Sequence, residues 1–92
     1  MFTVIAFDIV DDRTRYRVVR ALRKYAVRVQ KSVFEAPDLT PQAFQRLRDQ
    51  LERLIDLDMD KVRYYFLCGA CMPRVVVSGR GRVTPAEEYK VL

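Results

Sequence analysis

The stretch VIAFDIVDD, which runs from Val4 to Asp12, decides where the first strand ends and the first helix begins. Its aliphatic and aromatic residues predict a strand over residues 2–10, because the run is too short for a buried helix. The two acids at its end predict a helix that starts at about Arg13, since negative charge suits a helix N-terminus. Neither pattern explains Asp8, because a carboxylate within a core strand is costly to bury.

The length and composition of the chain favour one small domain over residues 1–92. Half of the 92 residues are hydrophobic, which is far too many for a disordered chain. A chain of this size buries only a thin core, so a partner subunit would add stability.

The charge balance favours a nucleic-acid partner, and the residue types limit the catalytic mechanisms that are open to the chain. The net charge is +5, and 13 of the 17 basic residues are Arg, which contacts phosphate in a bidentate way. The chain has no His, which excludes Ser-His and Cys-His nucleophiles and any His-ligated zinc site. Hydrolysis would therefore rest on carboxylates, Arg and a hard cation such as Mg²⁺.

Nothing in the sequence predicts export or a membrane partner. No basic segment precedes the first apolar run, so we expect no signal peptide, and no apolar run is long enough to span a bilayer. The two cysteines, Cys68 and Cys71, fit a reducing, cytoplasmic location. Their CGAC spacing permits redox chemistry or half of a zinc site shared across a dimer, or simply marks small residues at a strand end.

The remaining periodic segments predict further strands and helices. They comprise a helix from Arg13 to Ala26, a strand from Val27 to Glu35, a helix capped by Thr40 with Pro41 at its first position, a strand from Lys61 to Cys68 and a strand from Pro73 to Gly79. A tail over residues 78–92 ends in EYKVL, a candidate extra C-terminal strand. The acidic run DLDMD, residues 56–60, slightly resembles a calcium loop but is interpreted as a solvated helix exit.

We expect an α+β, ferredoxin-like β-α-β-β-α-β sandwich, with both helices on one face of an antiparallel sheet. The other sheet face would then be bare, which predicts a twofold homodimer. Side chains alternate along a strand, and the bulkier set on the first strand should lie under the helices. That set is Thr3, Ile5, Phe7 and Ile9. Asp8 is therefore expected on the bare face.

The strand from Val27 to Glu35 also divides into two sets. Val27, Val29 and Val33 are expected under the helices, while Arg28, Gln30, Ser32 and Phe34 are expected on the bare face. This register would bring Arg28 and Phe34 to the same side as Asp8.

The first predicted helix carries a basic stripe, which consists of Arg13, Arg17, Arg20 and Lys24. A stripe of uniform sign suits nucleic-acid phosphates, although a solvated helix face has the same pattern. Arg15 falls on the opposite, apolar side of the helix and is expected to reach Asp8 at the strand end. It could instead reach water, or pair with Asp11 or Asp12.

Three arrangements make Asp8 tolerable in this position. The carboxylate can pair with Arg15 or Arg28, accept structural hydrogen bonds, or bind a metal. In a twofold dimer through the bare faces, two Asp8 carboxylates would approach each other, and a divalent cation between them would relieve their repulsion. Mg²⁺ at that point would activate water and stabilise charge on a phosphate.

Two long segments resemble the CRISPR-associated protein 2 family. They are FDIVDDRTRYRVVRALRKYAVRVQKSVFE, from Phe7 to Glu35, and VRYYFLC, from Val62 to Cys68. The first combines an Asp at a strand end, a DD-R helix start and an RVQKSVFE strand. The resemblance covers nearly the whole chain, but the family often has Tyr where this chain has Phe7.

The resemblance implies a ferredoxin-like homodimer with Asp8 as the catalytic Mg²⁺ ligand at the interface. Arg15, Arg17, Arg28 and Phe34 match family positions linked to nuclease activity. Two functions follow for a protein of the CRISPR adaptation machinery in antiviral defence. One is a metal-dependent endonuclease, a hydrolase acting on RNA or DNA. The other is a non-catalytic bridge that binds spacer DNA and the CRISPR integrase, CRISPR-associated protein 1.

Overall fold

A computed structural model describes residues 1–69 and 76–79 of the chain. Within these residues, two helices alternate with four strands in the order β-α-β-β-α-β. The elements are β1 Phe2–Asp8, α1 Asp12–Leu22, β2 Val27–Gln30, β3 Val33–Ala36, α2 Pro41–Leu54 and β4 Lys61–Leu67.

The four strands form one antiparallel sheet in the order β2-β3-β1-β4. The architecture is therefore α+β, as predicted, and fits a ferredoxin-like sandwich. The prediction of one strand from Val27 to Glu35 is wrong, because the chain turns at Lys31 and Ser32 and forms a hairpin of two strands. Both strands between the helices come from that one segment.

Helix α1 begins as the acidic pair predicts. The side chain of Asp11 is the N-cap and accepts hydrogen bonds from the backbone N–H and the hydroxyl of Thr14, at 2.8 and 3.0 Å. These bonds hold the pKa of the Asp11 carboxyl below its ordinary value of 3.8. The helix ends at Leu22 rather than at the predicted Ala26, because residues 23–25 tighten into a turn.

Helix α2 also starts where its capping signal predicts. The Thr40 hydroxyl accepts a hydrogen bond from the N–H of Ala43 at 3.1 Å, and Pro41 occupies the first turn. The apolar side of this helix faces the core, with Ala43, Leu47 and Leu51 buried. This helix therefore packs on the sheet as its sequence pattern requires.

The core lies between the two helices and one face of the sheet. Ile5, Phe7 and Ile9 are buried in it, which confirms the predicted inner face of the first strand. The predicted faces are inverted for Arg28, Val33 and Phe34, because Phe34 is fully buried beside Ile5, its partner across the strands. Gln30 follows an irregularity in β2, pairs with Val33 and so lies on the bare face, as predicted. Val29, expected inside, is 40% exposed.

The inversion has a physical cause. Burying Phe34 removes more apolar surface from water than burying a valine does. Arg28 pairs with Phe34 and so shares its helix-covered side, although β2 is an edge strand. At an edge, the aliphatic stem of an Arg covers apolar surface while its charged head stays in water.

Several predictions fall on residues 70–75 and 80–92 and so lie outside the described residues. They concern Cys71, most of the strand from Pro73 to Gly79 and the extra C-terminal strand of the 78–92 tail. The four described residues at 76–79 carry no strand. Over the described ranges, neither helix has the length and apolar character needed to cross a bilayer.

Candidate functional site

Asp8 is the last residue of β1, and it is exposed on the sheet face that no helix covers. It pairs directly with Lys61 of β4, and Ala6 pairs with Arg63. Because directly paired residues share a face of the sheet, the three charged side chains lie on the same side. They line a groove of about 270 Å³ together with Ala6 and Phe7. The predicted side for Asp8 is confirmed, and two cations accompany it.

Lys61 and Arg63 were not assigned to the site by sequence reasoning. The available signal was the alternation of Lys61, Arg63 and Tyr65 along one strand, which places all three on the same face. The Nη1 of Arg63 donates to the Tyr65 hydroxyl at 3.3 Å, and this bond raises the pKa of the Arg63 guanidinium. Arg63 therefore presents a fixed positive charge beside Asp8.

The Asp8 carboxylate is available to an external ligand. Its side chain forms no hydrogen bond or ion pair with any residue in 1–69 or 76–79. The same described residues contain no group of three or more metal-ligating side chains. Among the described residues, the groove therefore has one carboxylate, and carboxylate oxygen is the ligand type that Mg²⁺ prefers.

Arg15 does not reach Asp8. Its Nη1 donates to Asp12 Oδ1 at 2.6 Å, and its Nη2 donates to the carbonyl oxygens of Ile9 at 3.0 Å and Val10 at 3.4 Å. The side chain therefore reaches the end of the first strand, as predicted, but it binds the backbone there. Of the alternatives for Arg15, pairing with Asp12 is the one observed.

Arg28 and Phe34 lie on the opposite face of the sheet from Asp8, so their predicted placement beside it is wrong. The Nε and Nη2 of Arg28 donate to the carbonyl oxygen of Lys31 at 3.1 and 2.5 Å, which clamps the β2–β3 turn. Its guanidinium carbon lies 5.9 Å from the centre of the Phe34 ring. The Phe7 ring packs against Phe34 in the core with a centroid distance of 6.2 Å. Phe7 therefore has its ring turned away from the Asp8 side.

The basic stripe is exposed along α1 and the turn after it. Its members Arg17, Arg20 and Lys24 line a groove of about 200 Å³ against Gln50 and Leu54 of α2. Arg13 is exposed at the start of the helix. Because α1 packs on the sheet face opposite to Asp8, no residue of the stripe lines the groove that holds Asp8.

Asp60 is a structural residue that sequence reasoning missed. It is only 8% exposed, whereas the acidic run around it was interpreted as solvated. Its Oδ1 accepts from the N–H of Val10 at 3.0 Å and its Oδ2 from the N–H of Asp56 at 2.9 Å. The carboxylate thus ties the loop after Asp8 to the loop before β4. Long-range bonds of this kind leave no local sequence signal.

Replacing Asp60 with Ala is expected to lower the free energy of unfolding by about 2–4 kcal/mol, because two partly buried N–H groups lose their acceptors. Urea denaturation measures this loss. Asp58→Ala, an exposed neighbour in the same run, is the matched control and should change stability little. Equal stability of the two variants would contradict the assigned role of Asp60.

Comparison with known proteins identifies the family. Residues 1–75 match the model described as CRISPR associated protein Cas2. The chain belongs to the Cas2 family. A Chloroflexus aurantiacus relative named CRISPR-associated endoribonuclease Cas2 3 is 46% identical over 84 residues, which cover 91% of this chain and 89% of the relative. The resemblance seen in the sequence is therefore confirmed.

Two solved structures share the fold. Streptococcus pyogenes Cas2 at pH 6.5 is 28% identical with a TM-score of 0.75, covering 86% of this chain and 100% of that chain. A chain of a partial Cas6-RT-Cas1–Cas2 complex is 30% identical with a TM-score of 0.72, covering 83% of this chain and 82% of that chain. The α+β architecture described above is thus a Cas2 architecture.

Proposed function

We propose that this Cas2-family chain is a Mg²⁺-dependent endonuclease of the CRISPR adaptation machinery, which hydrolyses phosphodiester bonds in single-stranded RNA or in DNA. The observation that carries the proposal is the exposed Asp8 carboxylate with Lys61 and Arg63 in one groove on the uncovered sheet face. The endoribonuclease name of the Chloroflexus aurantiacus relative supports the same reaction class.

The proposed active form is a homodimer through the uncovered faces. On that face the side chains of Val4, Ala6 and Val33 are only half-buried, because both helices pack on the other side of the sheet. A second copy would cover these apolar side chains and bring a second Asp8 to the first. Among the described residues, Asp8 is the one carboxylate in the groove, so in this proposal a second copy completes the metal site.

The residues of the groove have separate roles in this proposal. Two Asp8 carboxylates would hold Mg²⁺, which supplies an activated water and neutralises charge on the scissile phosphate. Lys61 and Arg63 would bind and orient the phosphodiester, because both present positive charge on the same face. Arg15 would act indirectly, since it fixes the backbone of Ile9 and Val10 directly after the Asp8 strand.

Cleavage assays on single-stranded RNA and on duplex DNA test this function. We expect cleavage in Mg²⁺ and none in excess chelator. Cleavage that persists in chelator would contradict a metal-dependent site, and absence of cleavage on both substrates would favour the non-catalytic candidate.

The second candidate function is a dimeric bridge that binds the CRISPR integrase and holds spacer DNA. Two observations favour it. A structurally similar chain belongs to a complex that contains Cas1 and Cas2. The stripe of Arg13, Arg17, Arg20 and Lys24 is exposed on α1 and the turn after it, and it suits phosphate contacts without base reading.

Reversing the charge at Arg13, Arg17 and Arg20 together is expected to weaken duplex DNA binding and to flatten its salt dependence. Each lost phosphate contact should lower the slope of log K against log salt by about 0.9. Fluorescence anisotropy over a salt series measures both quantities.

The matched control reverses Arg46, Arg48 and Arg53 on α2, which changes the net charge by the same amount. Arg48 already pairs with Glu52 at 3.4 Å, and the α2 face mixes both signs. An equal effect of the two triple variants would show that only net charge matters, and the stripe would lose its assigned role.

A further inference from the structure

Another groove lies on the helix-covered side of the molecule, between α1 and the β2 edge of the sheet. Its volume is about 340 Å³, within the usual range for a small-ligand site. It is lined by Asp12, Arg15, Tyr16, Val19, Arg20, Arg23 and Arg28. Because Arg28 and Asp8 project from opposite faces of the sheet, this groove is separate from the one at Asp8.

The groove concentrates positive charge. Four of its lining residues are Arg and one is Asp, and that carboxylate is already paired with Arg15. Arg28 is held in place by the Lys31 carbonyl oxygen. Arg20 and Arg23 have no acidic partner among residues 1–69 and 76–79. Clustered guanidinium groups without counter-charges favour an anion, and most of all a doubly charged phosphate monoester.

The groove also offers a planar surface beside this charge. Tyr16 is 63% exposed, and the Arg20 guanidinium carbon lies 5.8 Å from the centre of its ring. The side chain of Val19 adds an apolar wall. An exposed aromatic ring next to phosphate-binding cations is the combination that binds a nucleotide, because every base stacks on such a ring.

We propose that this groove binds one nucleotide with a terminal phosphate monoester, with the phosphate against Arg20, Arg23 and Arg28 and the base against Tyr16. Two kinds of ligand have such a phosphate: a free nucleoside monophosphate and the phosphorylated end of a nucleic-acid strand. The proposal goes beyond phosphodiester cleavage and beyond duplex binding along the stripe, and it does not depend on Asp8.

Isothermal titration of the full chain with AMP and with adenosine tests the phosphate requirement. AMP should bind, and adenosine should bind at least about tenfold more weakly. The double variant Arg20→Gln/Arg23→Gln should weaken AMP binding at least about tenfold, while the equally charged control Arg46→Gln/Arg53→Gln should not. Tyr16→Ala should weaken AMP binding by about 5- to 100-fold but leave inorganic phosphate binding unchanged.

Short oligonucleotides with and without a 5′-phosphate distinguish the two kinds of ligand. A preference for the phosphorylated oligonucleotide that is lost in Arg20→Gln/Arg23→Gln assigns the groove to strand ends, and binding of AMP alone assigns it to free nucleotides. Asp8→Asn should bind AMP as the wild type does, which separates this site from the cleavage site. Equal binding of AMP and adenosine, or equal AMP affinity of the two double variants, would overturn the proposal.

Discussion

Replacing Asp8 with Asn is expected to lower Mg²⁺-dependent cleavage by roughly 10²- to 10³-fold. The substitution keeps the shape of the side chain but removes its negative charge, and with it the proposed Mg²⁺ ligand from both subunits. A bound metal contributes several kcal/mol of charge stabilisation, and about 1.4 kcal/mol corresponds to a tenfold change in rate. Initial rates on the preferred substrate, with Mg²⁺ in excess, measure the loss.

Asp58→Asn is the matched control, because Asp58 is an exposed carboxylate outside the groove. It should cleave as the wild type does. Light scattering should show the same oligomeric state for both variants, so that a lost rate is not a lost dimer. Cleavage by Asp8→Asn at the wild-type rate would show that Asp8 is not the catalytic carboxylate.

The Phe34→Ala variant is expected to lose about 3–5 kcal/mol of unfolding free energy, which is a large part of the stability of a small domain. Phe34 is fully buried against the core and is covered by the Arg28 guanidinium. We therefore propose that packing, and not catalysis, explains why Phe34 matches a family position linked to activity. Thermal and urea unfolding measure the change.

Phe34→Leu separates packing from catalysis. It keeps an apolar side chain in the core and should cleave at close to the wild-type rate once folded. Phe66→Ala is a control of the same chemistry at a ring that is 50% exposed, and it should cost much less stability. A stable Phe34→Leu protein that cleaves as poorly as Asp8→Asn would show that Phe34 has a catalytic role after all.

The parts of the fold that local rules determine were predictable from the sequence. The two helix starts follow from Asp11 and Thr40, whose side chains cap the first turns as their residue types predict. The inner face of β1 follows from the greater bulk of Ile5 and Phe7. The side of Asp8 follows from that face by simple alternation.

The hairpin between the helices was not predictable from local rules. The segment QKSV reverses the chain without the Asn-Gly or Asp-Gly pair that usually marks a two-residue turn. The faces of β3 depend on which side chain fills the core. Phe34 fills it, whereas Val27, Val29 and Val33 are not buried. Alternation alone predicts the opposite faces for Arg28 and Phe34, and it therefore predicts both residues beside Asp8.

The candidate site was predictable only in its carboxylate. Lys61 and Arg63 enter it through pairing between β1 and β4, which lie far apart along the chain. Asp60 positions the loop after Asp8 through a bond to Val10 that spans 50 residues. Contacts at such separation depend on the packed fold, so a single sequence does not reveal them.

The stoichiometry of metal binding tests the central claim, which is that two copies of Asp8 complete one metal site. Mn²⁺ prefers the same oxygen ligands as Mg²⁺, and its binding can be titrated by paramagnetic resonance without any cleavage. The wild type should bind one Mn²⁺ for every two chains, and Asp8→Asn should lose that binding. One ion per single chain, or undiminished binding by Asp8→Asn, would contradict the shared site.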